Sequence, residues 1–177
     1  LCWSLLREGV REFPGQPARV LASVNCRILR DTHAEEFVTV FYAVLDPATG
    51  SLVYCNAGHN PPLLLRAPTG QEVERLVRTG VPLGILEEAA WEEGRAQMAP
   101  GDVLVLHTDG IVEAQDVNDA LFGEARLLAA VRSALDPAVE RERVPRHVQG
   151  AILDDVQRFI GAAPPVDDIT LVVLARN

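Results

Sequence analysis

The sequence predicts an α+β domain in which helices cover an antiparallel sheet or sandwich. Three features carry that prediction. Apolar residues recur at helical spacing near both ends of the chain. Between them lie short apolar runs joined by Pro- and Gly-containing turns. One last apolar run, 169–174, follows the second helical region. A length of 177 residues suits one domain over 1–177, and 48 % hydrophobic residues are ample for a core.

In the first thirty residues Leu1, Leu5, Leu6, Val10 and Phe13 mark one helix, which Pro14-Gly15 stops. Pro17 opens a second, where its missing N–H costs nothing, and Val20, Leu21, Val24, Ile28 and Leu29 form its stripe. Val38 to Leu45 reads as a strand that is apolar on both sides and covered on both faces. Asp46 to Gly50 turns it back into Leu52, Tyr54 and Asn56. A second hairpin joins Pro62–Arg66 to Glu72–Val77 across Ala67-Pro68-Thr69-Gly70. A third joins Arg95–Ala99 to Asp102–His107 across Pro100-Gly101. Leu127, Leu128, Val131 and Leu135 then mark a helix ended by Asp136-Pro137. Val148, Ile152, Val156, Phe159 and Ile160 mark a longer one, with Pro145 near its start and Gly161 past its end. Ile169 to Leu174, after Pro164-Pro165, is the closing strand.

The net charge of -9 argues against non-specific nucleic-acid binding and against docking on anionic membranes, both of which need a basic face. The longest apolar run, Phe37 to Leu45, falls far short of the roughly 20 residues a membrane helix requires. Cys2, Cys26 and Cys55 have no metal-ligand spacing and cannot all pair, so reduced core thiols and a cytoplasmic location are expected. The chain starts at Leu1 without a signal peptide and reads as excised from something longer.

Three loop clusters place polar residues where strands end. Asn56-Ala57-Gly58-His59-Asn60-Pro61-Pro62 fixes a His and two Asn on a stiff backbone; its plain structural reading is a rigid hairpin exit. Thr108-Asp109-Gly110 follows the apolar run 103–106. A carboxylate there is costly to bury unless it meets a cation or donors, although an Asp-Gly turn also explains it. Val166-Asp167-Asp168-Ile169-Thr170 puts two repelling aspartates at the mouth of the last strand, which favours a nearby positive charge; a solvated acidic pair is the alternative. If the two strands are neighbours, Asp109 and Asp167 converge at one rim. Carboxylate oxygens and water suit Mg²⁺ or Mn²⁺, and no His or Cys joins them to suit zinc.

Together these motifs resemble a known family. Phe37 to Tyr42, Asn56 to Pro62, Pro82-Leu83-Gly84, Gly101 to Gly110, Glu113-Ala114, Phe122-Gly123 and Asp167 to Leu171 occur in the order seen in SpoIIE/RsbU-type phosphatases of the metal-dependent PP2C superfamily. The resemblance implies a PP2C-like antiparallel β-sandwich flanked by helices on both faces, with a two-metal Mn²⁺ or Mg²⁺ site at one rim. It implies that Asp109 and Asp167 are catalytic metal ligands. Asp168 takes the neighbouring ligand place, where related enzymes often carry Asn. His59 either touches substrate or braces its loop. In such enzymes a metal-bridging water attacks phosphoserine or phosphothreonine in line. The implied substrate is a phosphorylated anti-anti-sigma regulator of STAS fold in partner-switching signalling. An upstream sensor domain is implied as well, acting through the two leading helices, and a homodimer is among the expected assemblies.

The family's opening G-D-x-x-D motif, with its bridging aspartate, and the later D-x-x-G-K-G segment have no counterpart here. The only Gly-Asp is Gly101-Asp102. The expectation is therefore a domain lacking its first strands. A second reading follows, a non-catalytic regulatory or protein-binding module that keeps the fold without a full metal site. A third, an unrelated α+β domain whose acidic loops are only turns, is disfavoured by the ordered motif series. A sandwich without its first strands should expose sheet edges and self-associate. Sedimentation should then show species larger than a monomer, and a strictly monomeric protein would count against the truncation.

Overall fold

The computed structural model describes residues 2–31, 37–67, 69–136, 138–164 and 166–177. Leu1, Pro68, Pro137 and Pro165, used above to place elements, lie outside them. The described residues fall into two compact units, 1–61 with 76–97, and 62–75 with 98–177.

In the first unit the two expected helices form as α1 (Cys2–Glu12) and α2 (Pro17–Asp31). Val20, Leu21, Val24 and Ile28 of α2 are buried, as their spacing requires, and join Leu5 of α1 in one core with Cys55, Ala57, Leu83 and Trp91. A Cβ on Gly9 would come 3.3 Å from Val20, so the bare glycine lets the two helices pack closely. The sheet runs β1 (Val40–Leu45), β2 (Ser51–Ala57) and β5 (Gly94–Gln97), with β2 in the centre. β1 and β2 form the expected hairpin, in register from Val40↔Ala57 to Leu45↔Leu52. Their turn is held by Asp46, whose carboxylate accepts the Ala48 N–H at 2.9 Å. The expected double-sided cover of β1 is not found: 40–44 are half-buried and Leu45 is exposed, because β1 is an edge strand.

Asn25 of α2, itself buried, has a part that no periodicity suggests. Its Oδ1 accepts the Gly84 N–H at 2.8 Å and its Nδ2 donates to the Leu86 carbonyl at 2.9 Å. One side chain therefore satisfies two backbone groups of a turn sixty residues away.

The second unit carries the sheet β4 (Val73–Arg75), β3 (Leu63–Leu65), β6 (Val103–His107) and β7 (Leu171–Ala175), antiparallel throughout. Its helices are α3 (Asp109–Val112), α4 (Gly123–Ala134) and α5 (Val144–Ile160). Pro145 sits in the first turn of α5 and Gly161 caps its end at φ +58°. Leu127, Val131, Val148, Ile152 and Val156 pack with Leu63, Leu65, Val103 and Val105 in a single core. The opposite side of β7 carries Val172 and Leu174, both exposed.

The third expected hairpin is corrected. Pro100-Gly101 is a tight turn, with Gly101 at φ +92° and the Asp102 N–H on the Ala99 carbonyl at 3.0 Å. Yet β5 pairs with β2, whereas β6 pairs with β3 and β7, so the turn separates two sheets. The buried Asp102 holds the turn itself within the second unit. Its carboxylate accepts N–H groups of Ala67 and Ala99, each at 2.9 Å, and the Arg66 guanidinium at 2.8 Å. This Gly-Asp pair is structural.

The cysteine expectation holds in part. Cys55 is buried, but Cys26 is exposed on α2, because it lies off the stripe that Val20, Val24 and Ile28 bury. Burial, then the Glu93 carboxylate, pushes the Cys55 thiol up to about 11, with Sγ 3.2 Å from the Glu92 carbonyl. Alkylation at pH 8 followed by peptide mass spectrometry should modify Cys26 within minutes and Cys55 only after denaturation.

Candidate active site

The two acidic loops are brought together by the strands beside them. β6 and β7 pair from Val103↔Ala175 to His107↔Leu171, so the end of one and the start of the other lie at the same edge. Thr108 ties the loops beyond that edge. Its N–H donates to the Thr170 carbonyl at 3.1 Å. Its hydroxyl accepts the Thr170 N–H at 2.9 Å and donates to the Asp168 carbonyl at 3.2 Å.

Gly110 permits the closest approach. A Cβ built there would lie 2.4 Å from the Asp168 carbonyl oxygen and 3.5 Å from the Asp167 carbonyl carbon. No side chain fits in that space. Ile111, fully buried, anchors α3 in the core one residue further on. Asp109 thereby opens α3 with its backbone held, its carbonyl accepting the Glu113 N–H at 2.8 Å.

Asp109, Asp167 and Asp168 are all exposed. Asp109 is therefore not desolvated at its strand end as its position led us to expect, and solvent screens the Asp167–Asp168 repulsion. Both leading carboxylates bend onto the next amide: Asp109 Oδ1 accepts the Gly110 N–H at 3.1 Å, and Asp167 Oδ1 the Asp168 N–H at 2.7 Å. Their hard oxygen chemistry suits Mg²⁺ or Mn²⁺. Among the described residues, however, no three His, Cys, Asp or Glu side chains come together as a metal site. The aspartates fit as part of such a site and not as the whole of one. Beside them, burial lowers the buried His107 imidazole below its ordinary value, and its Nδ1 lies 3.1 Å from the Thr108 carbonyl.

His59 belongs to the other unit. It follows Gly58, whose φ is +78° and whose missing Cβ leaves room for the Pro82 ring, 2.5 Å from where that atom would stand. The stiffness of this turn comes from the buried Asn56. Its backbone exchanges bonds with Thr79, and its Nδ2 donates to the Leu76 carbonyl at 3.1 Å. His59 itself is half-buried. Sequence reasoning selected Asp109, Asp167, Asp168 and His59 and read Gly110 as a place where something approaches the backbone, but gave Thr108 no role. The available signal for Thr108 was a small hydroxyl residue preceding an aspartate at a strand end.

The family model described as Stage II sporulation protein E (SpoIIE) matches residues 3–177. The chain belongs to the SpoIIE family. It is 27 % identical over 146 residues to Protein IcfG of Synechocystis sp., an alignment that takes in 80 % of this chain and 21 % of that protein. It is 27 % identical over 124 residues to the phosphoserine phosphatase RsbU of Bacillus subtilis, covering 68 % of this chain and 37 % of RsbU. This SpoIIE-family chain thus spans well under half the length of either curated relative. Among solved structures, the SiaA-PP2C domain of Pseudomonas aeruginosa superposes with a TM-score of 0.83 at 18 % identity, over all of this chain and 68 % of that one. The fold is that of a PP2C-type phosphatase domain.

Gly110→Ala tests whether the two loops need their contact. Displacing the Asp168 carbonyl should cost about 1–3 kcal/mol, read as a lowered urea midpoint, as expected for overpacking against backbone.

Proposed function

We propose that this chain is the core of a metal-dependent protein serine/threonine phosphatase acting on a phosphorylated STAS-type anti-anti-sigma regulator in partner-switching signalling. The observation that carries the reading is the meeting of the Asp109 and Asp167–Asp168 loops through Thr108 and Gly110, in a chain of the SpoIIE family. The reading treats residues 1–177 as one phosphatase domain, cytoplasmic, and regulated by an upstream sensor, with dimerisation as part of that control.

In this reading Asp109, Asp167 and Asp168 would hold Mn²⁺ or Mg²⁺, Asp109 and Asp167 being the essential pair. A bound metal pair would supply an activated water and neutralise phosphoryl oxygens. The protein's own part is positional. Thr108 and Gly110 hold two acidic loops at one sheet edge, so a shared cation would require side-chain rotation and no movement of the backbone. The second reading, a non-catalytic binding module, draws on the incomplete ligand set among the described residues.

The test is Mn²⁺-dependent phosphate release from a phosphoserine STAS protein. Asp109→Ala and Asp167→Ala should each lower turnover by more than roughly 100-fold, since losing even a supporting residue of a metal site costs about 10–100-fold. Circular dichroism should show the fold retained. Activity that survives either substitution would remove these residues from the site. Activity absent here but present in a longer form carrying G-D-x-x-D would make this part dependent on that segment.

A further inference from the structure

Four polar side chains are buried among the described residues: Asn25, Asn56, Asp102 and His107. Such groups are costly to desolvate unless they are hydrogen-bonded, so the partner of each tells what it fixes. Three of them fix backbone at a turn or loop. Asn25 bonds Gly84 and Leu86, Asn56 bonds Leu76, and Asp102 bonds Ala67 and Ala99. His107 is the fourth, and its Nδ1 lies 3.1 Å from the Thr108 carbonyl oxygen. A carbonyl oxygen only accepts, so in this bond Nδ1 carries the hydrogen whether the ring is neutral or charged.

Alternation along β6 places His107 on the same face as Val103 and Val105, which pack in the core with Leu127, Val131 and Ile152. His107 is 5 % exposed, whereas Asp109, two residues on, lies in solvent. The Thr108 carbonyl stands between the two. It belongs to the planar peptide that joins Thr108 to Asp109, so fixing its oxygen fixes the direction in which the Asp109 backbone leaves. The same oxygen accepts the Ile111 N–H at 3.2 Å and so starts α3. The remaining polar groups of Thr108 go to the Thr170 and Asp168 backbone, joining loop to loop. The His107 bond instead ties the turn to a buried side chain of the sheet.

We propose that His107 is a positioning residue for Asp109: its buried imidazole donates through Nδ1 to the Thr108 carbonyl and sets the start of α3, the helix that Asp109 opens beside the Asp167–Asp168 loop. The use of Asp109 as a metal ligand rests on the phosphatase reading. The hydrogen bond and its hold on α3 do not.

The test uses two substitutions in the whole chain. His107→Phe keeps a flat buried ring without a donor, and His107→Asn places an amide donor where Nδ1 stood. Amide hydrogen exchange at Ile111 should speed up roughly three- to tenfold in the Phe variant, the worth of one hydrogen bond, while Leu63 on the interior strand β3 exchanges as before. The Asn variant should restore slow exchange at Ile111. Should the Phe variant fail to fold, the Asn variant and the nitrogen NMR spectrum of His107 decide: Ile111 stays slow, and Nδ1 of the unsubstituted ring carries hydrogen. Mn²⁺ titration, read from the electron paramagnetic resonance of the free ion, should show affinity lowered in the Phe variant and recovered in the Asn variant. An unsubstituted chain that binds no Mn²⁺ counts against the metal reading of the rim, and exchange with the nitrogen spectrum still decides the part of His107. Three outcomes overturn the proposal: a bare Nδ1 with the hydrogen on Nε2, Ile111 exchange unchanged by the Phe substitution, or fast Ile111 exchange in the Asn variant.

Discussion

Everything proposed for the acidic rim depends on two backbones approaching where a side chain would collide. Gly110 meets the Asp168 carbonyl at a distance no Cβ allows, and Thr108 spends both its donor and its acceptor on the same partner segment. The antiparallel pairing of β6 with β7 fixes the direction of this meeting. The buried Ile111 stops α3 from swinging Asp109 away. Local turn chemistry alone would make an Asp-Gly turn. Its coupling to a second loop sixty residues on makes it a shared edge.

The chain is rich in carboxylates, and their backbone engagement separates structural from available ones. Asp102 is buried under two amides and a guanidinium. Asp116 accepts the Asn118 and Ala120 N–H groups, and these bonds, Ala120 first, hold its carboxyl below the usual carboxylate range. Asp109 and Asp167 are exposed and bend onto the amide that follows each of them. A cation can recruit oxygens of this kind without dismantling the fold, whereas drawing Asp102 away would take the acceptor from the Ala67 and Ala99 amides.

At 18 % identity the SiaA-PP2C domain keeps this architecture with a TM-score of 0.83. That is what a fold held by apolar periodicity and a few backbone constraints permits. Core positions accept many apolar combinations. Gly58, Gly80 and Gly110 do not share that latitude, because Pro82, Trp91 and the Asp168 backbone occupy the space a Cβ would need.

Apart from the short α3, which the sequence reads as a loop, the element types, the stripes of α2 and α5, the first two hairpins and the residues of the acidic rim were legible in the sequence. These follow from periodicity and from turn residues acting over a few positions. Which sheet each strand joins became visible only in the folded chain. Pro100-Gly101 looks like a hairpin turn, but strand partners are chosen by distant apolar faces, which leave no local mark. Nor could pattern reveal that Asp109 is exposed, that Cys26 lies off the core, or that Asn25 holds a turn sixty residues away. Exposure and long-range hydrogen bonding are properties of what a residue meets, and the chain settles that only when it folds.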